Sequence, residues 1–290
     1  DSSIPASGGS APQLSTESHP SNVNGCGRPP PFAPVGASGD QAGVLPPPDG
    51  TLLSTEAAPA ATDQSAVRSA FGDFLRTARQ DLNRGKLTEV HRELSRWYDN
   101  PVLSPQENRQ LIDLLDEVAG SVVYSREHLL ERPYVVQSGD TLQRIGRKYG
   151  VPWQLLAKIN GVADPENLQD GQELKVVRGP FDALIHLDRH EMTVMLRGLY
   201  AGRFSIGIGR DQQALEGTYF VEDKIAQAND PNSPFGRYLI KLDERIGLHG
   251  TDDPRHVGAS DGPGSICLED RDIEDVHAIL SIGSRVKILR

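Results

Sequence analysis

The apolar residues of this 290-residue chain change period near Pro180, and that change constrains the architecture more than any single motif does. Upstream, from Ser65 to Tyr98, Val67, Phe71, Phe74, Leu75, Leu82, Leu87, Val90, Leu94 and Trp97 recur at helical spacing, broken once at "NRGK". Downstream, "ALIHLDRHEMTVMLRGLYAGRFSIGIG" alternates apolar and polar residues, with "DRHE" and "RGLYAG" as turns of a β-meander. "EGTYFVEDK" and "RYLIKLDERIGLHG" continue the alternation. A helix returns only at Glu269 to Leu280, before a last strand from Arg285 to Leu289. At 290 residues the chain is long enough for two or three small domains.

Between them the punctuation is explicit. In "NPVLSPQENRQLIDLLDEVAG", Ser104 is placed to cap a third helix, with Pro105 at its first position and Glu107 completing a capping box. These three helices are expected to be a spacer or a docking bundle. A smaller unit follows. Tyr134 to Val136 reads as a strand, Asp140 or Thr141 caps a helix ended by Gly150, and Pro152 opens another ended by Asn160-Gly161. Leu174 to Val177 is a second strand. The order β-α-α-β in so short a span predicts a two-layer unit.

The first sixty residues cannot join either core. They hold 11 of the 21 prolines and a single basic residue, Arg28, so they bury too little apolar surface to offset chain entropy and are expected to be a disordered linker. The chain opens on Asp1 without a Met, so an N-terminal piece is expected to have been removed or left out, and any signal peptide or membrane anchor is expected there. A net charge of −10 argues against nucleic acid as a partner. Cys26 and Cys267 make no disulfide framework, which leaves Cys267 as a free thiol.

"YVVQSGDTLQRIGRKYGV", "INGV" and "NLQDGQELKV" together resemble a LysM domain, across the whole β-α-α-β unit. The resemblance implies binding of N-acetylglucosamine-containing glycans, chiefly peptidoglycan and chitin. The implied groove lies between two loops: Gly139, Asp140, Thr141 and Leu142 on one side, and Asn160 to Pro165 on the other.

Cys267 stands directly before the predicted last helix, whose macrodipole favours an anion. His249, eighteen residues earlier at the end of a predicted strand, is placed to accept the thiol proton. Three stretches around this pair resemble the YkuD-type L,D-transpeptidase family, over roughly residues 180 to 290. "EGTYFV" resembles its P-x-G-x-[YF] strand, "SPFGRYLIKL" its N-P-[FL]-G-x-[RY] segment, and "IGLHGTDDPRHVG" its I-H-G-T-x-x-P-x-x-[IV]-G. The resemblance implies a cell-wall enzyme with Cys267 as nucleophile, His249 as base and the Gly250 carbonyl orienting the imidazole. Ser265, Ile266 and Tyr238 are the implied oxyanion and substrate contacts. A peptidoglycan stem tetrapeptide would lose its terminal D-alanine to a thioester, which a second stem's amine would resolve into a crosslink.

The cysteine motif departs from the family's [ST]-[HK]-G-C-[IV]-[RN]. Set on Cys267, it covers "GSICLE", Gly264 to Glu269, so that Ser265 replaces His or Lys, Ile266 replaces Gly and Glu269 replaces Arg or Asn. Ile cannot adopt every backbone conformation open to Gly, which threatens an oxyanion hole. The charge reversal at Glu269 would repel an anionic stem. A shifted alignment is the other option, in which the Gly-rich "GASDGPGS" supplies the lost glycine.

The expected fold class is therefore multidomain: a disordered Pro/Ser/Gly-rich linker over 1–64, a short α-helical region over 65–130, a small α+β (βααβ) LysM domain over 133–178 and a mainly-β YkuD-like L,D-transpeptidase domain over 181–290. Its expected partners are peptidoglycan glycan strands and stem peptides in the bacterial cell envelope, outside the cytoplasm. The readings are a cysteine-dependent acyltransferase or a non-catalytic wall-binding protein with a degenerate transpeptidase domain. No cofactor is expected. No metal site is expected either: His186, His190 and Glu191 fall at a turn that separates their side chains, and His249, Asp252, Asp253 and His256 belong to an acidic loop read as solvated. His277 is expected to be a partly buried helix residue.

Overall fold

A computed structural model describes residues 61–210, 216–226, 235–262 and 264–290. The linker expected over 1–64 lies outside these residues except at its end, where α1 (Ala61–Asn83) already begins. The expected start at Ser65 was late because apolar periodicity does not register a polar first turn. A turn at Gly85, with φ of 80°, leads into α2 (Leu87–Trp97). The next helix is α3 (Pro105–Ala119), with the capping box at Ser104 and Glu107 formed and Pro105 in its first turn. A single π-helical turn, Gly120–Tyr124, follows it, a feature that no periodicity announces.

The helices form a docked bundle. Tyr200 of β5 (Leu199–Ser205) is buried among Phe71, Leu75, Leu94, Leu111 and Leu115. Its hydroxyl donates to Asp116, its N–H donates to Ser95 Oγ at 3.0 Å, and its carbonyl meets His91 Nε2 at 2.6 Å. Tyr98 OH and Thr193 Oγ1, 2.6 Å apart, and Tyr124 OH donating to the Ala201 carbonyl at 2.7 Å complete the seam.

The β-α-α-β unit consists of β1 (Tyr134–Val135), α4 (Leu142–Tyr149), α5 (Trp153–Asn160) and β2 (Glu173–Leu174). Thr141 caps α4 by accepting the Arg144 N–H, and Gly150 and Gly161 end the two helices in the left-handed region, with φ of 68° and 64°. The second strand was expected from Leu174 to Val177 but stops at Leu174. At the next residue the Asn160 side-chain amide takes both backbone groups of Lys175, at 2.7 and 2.9 Å, which closes the ladder. Lys158 of α5 ties this unit to the C-terminal one through Asp275 and Glu274, at 2.7 and 3.1 Å.

The remaining strands are β3 (Phe181–His186), β4 (Glu191–Leu196), β6 (Gly207–Ile208), β7 (Gly217–Phe220), β8 (Asp223–Ala226), β9 (Tyr238–Lys241), β10 (Gly247–Thr251), β11 (Ile266–Glu269) and β12 (Arg285–Leu289). They make two five-stranded sheets, ordered β6-β11-β10-β9-β8 and β5-β4-β3-β12-β7. The expected meander is present in β3-β4-β5. Elsewhere it gives way to long connections: β12 inserts between β3 and β7, parallel to β3, and β11 lies parallel to β10. The last helix, α6 (Asp270–Ile279), buries Ile273, Val276 and Ile279 in the core shared by both sheets.

Candidate active site and glycan groove

His249 is the Cα partner of Cys267 in the parallel β10–β11 ladder, and Gly247 lies one pleat before it. Residues opposite each other in a ladder share a face, so the imidazole and the thiol rise from the same side of the sheet. The expected position of Cys267 at a helix start is corrected here. It sits inside β11, and α6 begins only at Asp270, because pairing with β10 holds the chain extended through Glu269.

His249 is oriented from two sides. Its Nδ1–H donates to the Gly250 carbonyl at 2.8 Å, which leaves Nε2 with the lone pair. The Phe235 ring meets the imidazole edge-on at 5.0 Å. Beyond Nε2 lies Gly264, with φ of 63°; a Cβ there would collide with Nε2 and come within 3.0 Å of the Phe235 ring. Gly264→Val should therefore displace the imidazole and strain a left-handed residue, at a cost of roughly 1–3 kcal/mol for the backbone alone. Its check is a urea titration together with the His249 Hε1 shift. An unmoved imidazole signal with unchanged stability would show that Gly264 does not set the ring.

The thiol has different surroundings. Cys267 is fully buried, and its Sγ–H points to the His256 carbonyl at 4.0 Å. A Cβ at Gly207 would stand 2.6 Å from Sγ and one at Gly262 would stand 3.3 Å away, so both glycines wall the sulfur in. Burial pushes the thiol up, against the N–H groups of Gly207 and of Cys267 itself, which act to lower it.

Of the other expected contacts, Ser265 lies just before β11, is buried and donates its hydroxyl to the Arg245 carbonyl at 2.7 Å. Ile266 lies on the opposite face, in the core. Tyr238 is also turned away, because its neighbour Leu239 is the residue paired with His249. Its ring lies 4.9 Å from that of His277 on α6. The structure therefore sets His249 and Gly250 beside Gly264 and Phe235, with Cys267 opposite His249 in the ladder and Ser265 next to Gly264 in the chain. Neither Gly264 nor Phe235 was singled out from sequence, although the glycine run before Ser265 was a usable signal.

Burial pushes the carboxyl of Asp270 up, as does the charge of Asp252. Its Oδ1 fills the space that Cβ atoms at Gly236 and Gly250 would take. His186 faces Asp99 at 3.5 Å while His190 meets Ser260 at 3.0 Å, so the two histidines serve different neighbours. Asp253 is clamped by Arg255 at 2.6 Å.

In the glycan groove, Gly139 is exposed at a φ of 81°. Asp140 is engaged by Tyr134 OH at 2.7 Å and by the Gln137 N–H, which hold its carboxyl below the usual range. Leu142 is a core residue whose N–H reaches the Pro165 carbonyl at 3.3 Å, so the two loops do face each other. Asn160 spends its amide on Lys175 and Leu156. Only part of the expected groove is thus open to a ligand.

The LysM domain family model matches residues 134–177. "Putative L,D-transpeptidase YkuD" of Bacillus subtilis (strain 168) is 26% identical over 166 residues, 54% of this chain and 98% of the relative. Its namesake from Bacillus licheniformis is 26% identical over 163 residues, 53% of this chain and 97% of that one. Among solved structures, an L,D-transpeptidase from Mycobacterium smegmatis aligns with a TM-score of 0.33 at 14% identity, over 41% of this chain. One from Mycobacterium tuberculosis H37Rv aligns at 0.33 and 20%, over 42% of it. The chain spans 64% of the length of each of these two structures.

Proposed function

We propose that this chain is a peptidoglycan-binding protein of the bacterial cell envelope. Its LysM domain holds glycan, and its transpeptidase-like domain receives a stem peptide at the His249 face without forming a thioester at Cys267. The LysM match and the YkuD relatives support the wall as the target. The observation that carries the non-catalytic reading is the thiol: fully buried, pushed up and turned to the His256 carbonyl. A thiol held neutral is a poor nucleophile. Tethering one domain to glycan raises the local concentration of stems for the other.

One observation favours a second reading, the cysteine-dependent L,D-transpeptidase with Cys267 as nucleophile, His249 as base and Gly250 as orienter. The Nδ1 contact with Gly250 leaves His249 in the tautomer a base requires.

Two measurements separate these readings. The full chain should co-sediment with purified sacculi, and N-acetylglucosamine oligosaccharides should compete; a chain that stays in the supernatant removes the wall-binding proposal. Intact mass after incubation with a carbapenem should be unchanged, and no D-alanine should be released from a stem tetrapeptide. A stoichiometric adduct on Cys267 would establish the second reading in place of the first.

A further inference from the structure

We propose that Ser265, not Cys267, stands in the nucleophile's place beside His249, so that this domain offers stem peptides a site whose reactive position carries a hydroxyl. The proposal rests on the non-catalytic reading above and names the residue responsible for it.

The first support is the register of the motif. Set on Cys267, the pattern [ST]-[HK]-G-C-[IV]-[RN] finds only the cysteine itself in "GSICLE". Moved two residues toward the N-terminus, its G-C-[IV] core falls on Gly264-Ser265-Ile266, with glycine and isoleucine both in place. Ser265 then takes the cysteine position and Cys267 the Arg or Asn position. In this register Glu269 lies outside the motif, and the apparent charge reversal there vanishes.

The second support is geometric and independent of any pattern. The backbone that Nε2 of His249 meets is that of Gly264, at a position where only glycine fits, and the next side chain along is Ser265. Ser265 ends the bend that leads from Gly264 into β11, one residue before the strand begins at Ile266. Cys267 lies further along β11, and its sulfur is enclosed by Gly207, Gly262 and the His256 carbonyl.

The hydroxyl is not primed for attack. Its proton goes to the Arg245 carbonyl at 2.7 Å, and a nucleophilic serine needs that proton directed to a base. A stem peptide seated here would be held by noncovalent contacts.

A gain of chemistry tests this. Ser265→Cys, alone and with Cys267→Ala, is incubated with a carbapenem and weighed intact. In the acylation, a bond forms between the residue 265 sulfur and the β-lactam carbonyl carbon, and the ring C–N bond breaks. The thiol proton passes through His249 Nε2 to the ring nitrogen. Both Ser265→Cys chains should rise by one carbapenem mass, the parent should not, and His249→Ala added to Ser265→Cys should slow acylation by at least about tenfold, as expected for loss of a general base. Co-sedimentation with sacculi and a cooperative thermal transition check that each variant is folded.

A folded Ser265→Cys chain that takes no adduct, while the parent takes none either, overturns this proposal and leaves the non-catalytic reading standing. An adduct in the parent that is lost in Cys267→Ala overturns both. Should Ser265→Cys fail to fold, the parent and Cys267→Ala alkylated with iodoacetamide at neutral pH still decide. With modification at Cys267 separated from that at Cys26 by peptide mapping, slow alkylation of Cys267 in the folded parent supports the proposal; alkylation of Cys267 at the rate of an activated thiol, suppressed by His249→Ala, overturns it.

Discussion

Between about pH 7 and pH 10 the parent chain should gain stability relative to Lys175→Met, with a slope approaching about 1.4 kcal/mol per pH unit, the value for one proton. Lys175 is almost wholly buried, and its Nζ donates to the Val122 carbonyl at 2.8 Å, inside the π-helical turn. Burial pushes its ammonium down from 10.5 to about 7, against the attraction of Glu127. Within that window the unfolded chain carries the proton and the folded chain does not, so stability rises with pH. Below the window both states are protonated, and the full burial penalty applies. Lys224, pushed down to about 8 by burial, contributes with the same sign, and Cys267 with the opposite one. Both cancel in the difference between parent and variant. Measurements should stay below pH 10, because Tyr98, Tyr124 and Tyr200 are all pushed up by burial and destabilise the fold once the unfolded chain ionises them. The check is urea unfolding of both chains at half-unit intervals; parallel curves would show that Lys175 does not titrate in this window.

Tyr200→Ala should cost roughly 3–5 kcal/mol, the range for removing a fully buried aromatic side chain. Tyr200 is fully buried at the seam between the helical bundle and the sheet. It is also the hydroxyl donor to Asp116, whose carboxyl is pushed up to about 6 by burial and pairs with Arg203 at 3.4 Å. Tyr200→Phe keeps the ring and should cost about 1–3 kcal/mol, the penalty of a buried acceptor that loses its partner. Limited proteolysis of the alanine variant should release the segment from α1 to α3 faster than from the parent. A loss below about 1 kcal/mol together with an unchanged cleavage pattern would mean that the bundle is held elsewhere.

What the sequence determined by itself was local. The capping box at Ser104 and Glu107, the Thr141 cap and the left-handed glycines at Gly150 and Gly161 are written in neighbouring residues, because each satisfies backbone groups within one turn of its own position. The same holds for the β3-β4-β5 hairpins, where short turns fix the register. The order of the units followed from the change of apolar period. Tertiary structure decided everything that depends on residues distant in the chain. The parallel β10–β11 pairing draws Cys267 into a strand where local signals place it before a helix. Asn160 ends β2 one residue short of Lys175, and Lys175 then finds its acceptor in a π-helical turn that no periodicity marks. At the site, the strand that carries His249 was legible, although His249 lies at its middle and not at its end. The residue against its Nε2 was not, since Gly264 reaches it through a loop closure whose geometry no local propensity encodes.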